Sequence, residues 1–63
     1  MIHNIHDYAY DGNSEKVKEC LASGVDINDQ NQGTLDTPLL DAIYKQRIET
    51  VKLLLDHGAN IYI

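Results

Sequence analysis

Thr37-Pro38-Leu39-Leu40-Asp41-Ala42 and Glu49-Thr50-Val51-Lys52-Leu53-Leu54-Leu55-Asp56-His57-Gly58-Ala59-Asn60-Ile61 decide the fold of this 63-residue chain. Thr37 is a good helix N-cap, and Pro38 suits the first helical position, where its missing N–H costs nothing. The spacing predicts a short helix from Pro38 to Tyr44 that buries Leu39, Ala42 and Ile43. A second helix starts near Arg47-Ile48. Its apolar residues Ile48, Val51, Leu54 and Leu55 fall at helical spacings and form one stripe. Gly58 ends that helix as a left-handed cap, and His57 suits the negative end of its dipole.

Working outward, the same text recurs 34 residues earlier. Slid forward by 34, residues 3–29 give eight identities in 27 pairs, among them Asp7 with Asp41, Tyr10 with Tyr44, Val17 with Val51 and Gly24 with Gly58. In the earlier copy Asn13 or Ser14 caps a helix that carries Val17, Cys20 and Leu21, and Gly24 stops it. Asp26 to Asp36 is polar, contains Gly33 and has no helical stripe, so it reads as a turn-built finger between the copies. A self-repeat of this period marks a stacked solenoid, in which each unit covers the apolar face of its neighbour.

The ordered set of Thr37-Pro38, Ala42, Glu49, Val51-Lys52, Leu54-Leu55 and Gly58-Ala59 closely resembles the ankyrin repeat. Ile5-His6-Asp7-Tyr8-Ala9 and Gly24-Val25-Asp26-Ile27-Asn28 are weaker but in register. The resemblance covers about residues 3–61. It implies an all-α helix-turn-helix solenoid of two repeats joined by a β-turn finger, as one domain over 1–63. Repeat 1 spans about 3–28, the finger 29–36 and repeat 2 about 37–63. There are departures from the family pattern. Leu40 stands where the family usually has His, a position His6 holds in the first copy, and the first copy has His3-Asn4 in place of Thr-Pro. The usual Thr-to-His hydrogen bonding is therefore not expected within either copy. The link from Asn28 to Thr37 is about one residue longer than is usual in the family, which predicts a bulged turn.

The resemblance also implies where a partner would sit. The residue pair after the two small residues of helix A faces the concave groove, here Tyr10-Asp11 and Tyr44-Lys45. The finger tip does the same, here Asn31, Gln32, Thr34 and Leu35. Tyrosine offers a large, fairly rigid surface with a polar tip, and two tyrosines one repeat apart would form a short ladder. The competing reading is that they pack on one another to support the stack. The implied function is recognition of a protein partner through the concave helix and finger face, without catalysis. The alternative is a structural spacer or capping segment of a longer array, or of a multidomain protein whose activity lies elsewhere.

Composition narrows the rest. A formal charge of −5 from ten acidic and five basic residues argues against a general phosphate-binding surface and hence against nucleic acid. No apolar run approaches a bilayer's thickness. Met1 to Tyr10 lacks a basic start and an apolar core, so it does not read as a signal peptide. The single cysteine excludes an internal disulfide and points to the reducing interior of a cell, the cytoplasm first. A protein delivered into a host cell would read the same way. His3, His6 and Asp7 lie close together, but zinc needs three or four ligands in a closed geometry. His6 is expected to be half-buried with a local hydrogen bond. Cys20 aligns with Leu54 and reads as core. Ser14 and Ser23 read as helix ends, so no catalytic set, cofactor or metal is expected. Two repeats are fewer than the three a stable stack usually needs. Ile2, Tyr62 and Ile63 are expected to be exposed unless a further repeat or a second copy covers the open C-terminal face.

Overall fold

The computed structural model describes residues 4–61, which form four helices and, within that range, no strand. The helices are α1 (Ile5–Asp11), α2 (Ser14–Ala22), α3 (Pro38–Tyr44) and α4 (Ile48–Asp56). Each pair is an antiparallel hairpin, with α1 on α2 and α3 on α4. The hairpins stack in parallel, α1 against α3 and α2 against α4. This is the helix-turn-helix solenoid that the repeat predicts. His3, Ile2, Tyr62 and Ile63 lie outside the described residues.

Local chemistry sets the helix ends. Asn4 takes over the start that Thr-Pro would have made. Its side chain accepts from the His6 and Asp7 amides, and the Asp7 carboxylate accepts from the Asn4 amide, a reciprocal cap. Thr37 caps α3 through the Leu40 amide. Asn13, not Ser14, caps α2. The Ser14 hydroxyl instead reaches across the stack to the Thr50 hydroxyl at 2.8 Å. Both second helices end in the same Schellman motif. Gly24 and Val25 donate to the Leu21 and Cys20 carbonyls, as Gly58 and Ala59 do to those of Leu55 and Leu54.

The core is one cluster of Ile5, Ala9, Val17, Leu39, Ala42 and Leu54, flanked by half-buried Tyr8, Cys20, Leu21, Ile27, Val51, Leu53 and Ala59. Ala9 and Ala42 lie on α1 and α3, where small side chains let the helices approach closely. Ile43, predicted to be buried by α3, and Ile48 and Leu55 of the apolar stripe are exposed instead, at 50%, 62% and 45% accessible. Their counterparts one repeat earlier, Ala9, Ser14 and Leu21, are buried or half-buried. The difference is positional. Those residues of the first hairpin face the second, whereas the equivalent face of the second hairpin is uncovered by any described residue.

Gly12 and Gln46 occupy equivalent positions between the helices of each hairpin, and both are left-handed, with φ of 77° and 58°. A glycine adopts this freely, whereas an L side chain is strained by about 1–2 kcal/mol. Gln46→Gly is therefore expected to raise the urea midpoint. The net gain is up to about 1 kcal/mol after the extra freedom of the unfolded glycine is subtracted. Gly12→Ala should lower stability by more than that strain alone. Its Cβ would lie 2.9 Å from Cδ of Arg47, whose Nε is tied to the Tyr10 carbonyl. A neutral or destabilising Gln46→Gly would contradict this account.

Candidate functional site

The two hairpins and the finger enclose a groove of about 430 Å³. Its helical side carries His6, Asp7 and Tyr10 from α1 and Asp41 and Tyr44 from α3; its finger side carries Asn31, Thr34 and Asp36.

The floor is held by His6. Its Nδ1 lies 2.9 Å from an Asp41 oxygen and its Nε2 lies 3.0 Å from an Asp29 oxygen. These partners are 35 and 23 residues away, so the local bond expected for His6 is replaced by a tie of α1 to both α3 and the base of the finger. Two shared protons satisfy both contacts. Either an imidazolium donates to two carboxylates, or a neutral ring donates from Nε2 to Asp29 while protonated Asp41 donates to Nδ1. Burial pushes the Asp41 carboxyl above its ordinary value; the His6 contact pulls it down, and Asp36 and Asp7 push it up again.

The wall is aromatic. Tyr10 and Tyr44 stack with ring centroids 6.3 Å apart and planes 26° from parallel. Tyr44 is 77% exposed. The Lys45 ammonium sits 5.1 Å from the Tyr10 ring centroid. Arg47 Nε donates to the Tyr10 carbonyl at 3.1 Å, which satisfies an orphan carbonyl at the end of α1.

The finger supplies the rim. The Asn31 amide donates to the Asp36 carbonyl at 2.8 Å, and the Leu35 amide donates to the Asn31 carbonyl at 2.7 Å. The Asn31 side chain accepts from the Gly33 and Thr34 amides, so it is committed to the turn. Leu35 is left-handed at φ 64° yet 62% exposed. A left-handed backbone at a non-glycine residue carries strain.

Four of the residues singled out by the sequence therefore line the groove: Tyr10, Asn31, Thr34 and Tyr44. The other four do not. Asp11 lines a shallow depression with Arg47 and Glu49. Gln32 lies on the other flank of the finger with Asn4 and Asp29. Leu35 stands outside the groove, and Lys45 meets it only through the Tyr10 ring. Sequence reasoning missed His6, Asp7, Asp36 and Asp41 as groove residues. The Asp7–Asp41 identity one repeat apart was the available signal. Among the described residues, no group of three or more His, Cys, Asp or Glu side chains is placed to hold a metal ion. Nor is any described helix long and apolar enough to cross a membrane.

A family model described as "Ankyrin repeats (3 copies)" matches residues 5–63. The chain is 38% identical over 55 residues to "Dauer abnormal formation protein 25" of Caenorhabditis elegans, a match that covers 87% of this chain and 14% of that protein. It is 39% identical over 57 residues to "Arf-GAP with coiled-coil, ANK repeat and PH domain-containing protein 2" of Rattus norvegicus, covering 84% of this chain and 7% of that protein. The Mus musculus protein of the same name matches equally. The chain thus spans only a small part of these relatives' length. No solved structure matches it.

The groove has one titration signature. The folded Asp41 carboxyl holds its proton to a higher pH than the unfolded one, whose value is 3.8. Its contribution to stability is therefore greatest below that pH and declines as pH rises through the folded value. The Asp41 side-chain carboxyl followed by ¹³C NMR should titrate above 3.8, and His6→Gln should move it higher still, since His6 favours the ionised form. A midpoint at or below 3.8 would contradict the burial assigned to Asp41.

Proposed function

Because the chain belongs to the ankyrin-repeat family, we propose that it is a non-catalytic recognition module whose concave helix and finger face binds a protein partner. Ankyrin repeats generally mediate protein–protein interaction. The observation that carries the reading here is the stacked Tyr10–Tyr44 pair beside an open groove. Exposed aromatic side chains on a rigid support are the groups that usually dominate interface energetics. Asp11, Gln32, Leu35 and Lys45 would meet a partner only at the periphery. We assign no chemistry, cofactor, nucleic-acid role or membrane role to residues 1–63, which we treat as a single domain. We place the protein inside the cell, in the cytoplasm of its source or of a host. Its single cysteine and the common location of its family support that placement.

A second reading has its own support. Ile43, Ile48 and Leu55 present an uncovered apolar face where the first hairpin's equivalents are packed. A segment serving as a spacer or cap in a longer stack, or one that self-associates through this face, would use it. Light scattering separates these readings: a monomer favours recognition through the groove, and a dimer or larger species favours the apolar face.

The test of the groove is photo-crosslinking in extracts of the source organism. A benzophenone side chain at position 44 should capture a discrete protein, and one at position 52 on α4 should not. With that protein purified, Tyr44→Ala should weaken binding about thirtyfold, the scale of a hot-spot loss, with helicity unchanged. Equal capture from both positions, or loss of helicity on substitution, would overturn the assignment.

A further inference from the structure

We propose that the groove selects a basic peptide segment of its partner, with an arginine side chain laid on Tyr44 and paired with Asp36. This rests on the reading of the groove as a recognition surface and names the chemistry it recognises.

The charge distribution carries the inference. Asp7, Asp36 and Asp41 line the groove, and no lysine or arginine lines it. The two nitrogens of His6 are engaged by Asp41 and Asp29, so His6 does not pair with Asp36. The Asp36 carboxylate has no ion-pair or hydrogen-bond partner among the described residues, and it stands close enough to Asp41 to disfavour that group's ionised form. A cation entering the groove would relieve this crowding of negative charge.

The aromatic wall suits a planar cation. Tyr10 already accepts an ammonium, that of Lys45, so this pair of rings is placed to interact with positive charge. The 6.3 Å between the rings leaves no room for a group between them. A guanidinium would therefore stack on the outer face of Tyr44, the more exposed ring. Arginine combines a stacking plane with a fork that matches a carboxylate, whereas lysine offers only a compact charge. The formal charge of −5 steers such a segment toward the protein.

The test is a titration of the ¹⁵N-labelled chain with three blocked hexapeptides, alternating Gly-Arg, Gly-Glu and Gly-Tyr. The Gly-Arg peptide should shift the amides of Tyr10, Thr34, Asp36 and Tyr44, and more weakly at high salt. Asp36→Asn and Tyr44→Ala should each weaken it about fivefold, while Tyr44→Phe, which keeps the ring, should retain it. Asp36→Asn preserves the backbone bonds of the finger, so loss of fold does not confuse the result. Shifts that ignore Asp36→Asn, or that spread to Glu15, Glu19 and Asp56 on the outer helices, would mean diffuse attraction and overturn the proposal. Groove shifts from Gly-Tyr alone would overturn the basic specificity and leave the recognition reading standing. Silence from all three peptides would overturn the proposal, while capture of a folded partner at position 44 would show that recognition itself survives.

Discussion

The structure depends on one buried side chain that belongs to neither repeat alone. His6 is 5% exposed and spans three segments: α1 on which it sits, α3 through Asp41 and the finger through Asp29. Hydrogen bonds to charged partners are worth about 1.5–3 kcal/mol, and a buried partner left unpaired costs comparably. For a chain of this length, whose hydrophobic core supplies little surplus, that is a large share of net stability. Three further polar ties run across the same boundary. They are the Ser14–Thr50 hydroxyl pair, Arg47 on the Tyr10 carbonyl, and the Asn60 amide on the Asn28 side chain. Together they fix the register of the two hairpins, and register determines whether Tyr10 and Tyr44 stack.

Recognition surface and structural support are thus built from the same residues. Asp41 holds His6 and also lines the groove; Tyr10 receives Arg47 on its carbonyl and Tyr44 on its ring. The two faces of the second hairpin differ in chemistry. One side of α3 meets the acidic, aromatic groove, while Ile43, Ile48 and Leu55 present aliphatic surface elsewhere. The first suits a charged segment and the second suits another apolar helix pair. Strain is placed at the connections, at Gln46 between helices and at Leu35 in the finger, where backbone is least constrained by packing.

What the sequence made legible follows from the range of each interaction. Helix ends were readable because Thr37, Pro38 and Gly58 act on amides and carbonyls within a turn of themselves. The Tyr10–Tyr44 pair was readable because a 34-residue displacement superposes identical positions in successive layers. The burial of Ile43, Ile48 and Leu55 was not, because periodicity says which residues share a face and not whether anything covers it. The partners of His6 were hidden for a related reason. A contact across 35 residues is set by how hairpins stack, and the family's usual pairing pointed elsewhere. The choice between Asn13 and Ser14 as the cap of α2 is not legible in sequence, because either residue fits beside a helix start and only the position of Thr50 draws the serine away. In the candidate site the aromatic wall is legible in the repeat, whereas the acidic lining of Asp7, Asp36 and Asp41 depends on the finger folding back over α1 and α3.

The most direct test of the His6 tie is a double-mutant cycle on urea unfolding, with His6→Gln, Asp41→Asn and the double variant. The account predicts a coupling energy above about 1 kcal/mol between the two positions, as for residues in one buried polar network. Additive losses, with coupling within about 0.3–0.5 kcal/mol of zero, would show that His6 does not hold the repeats together and that apolar packing alone sets their register.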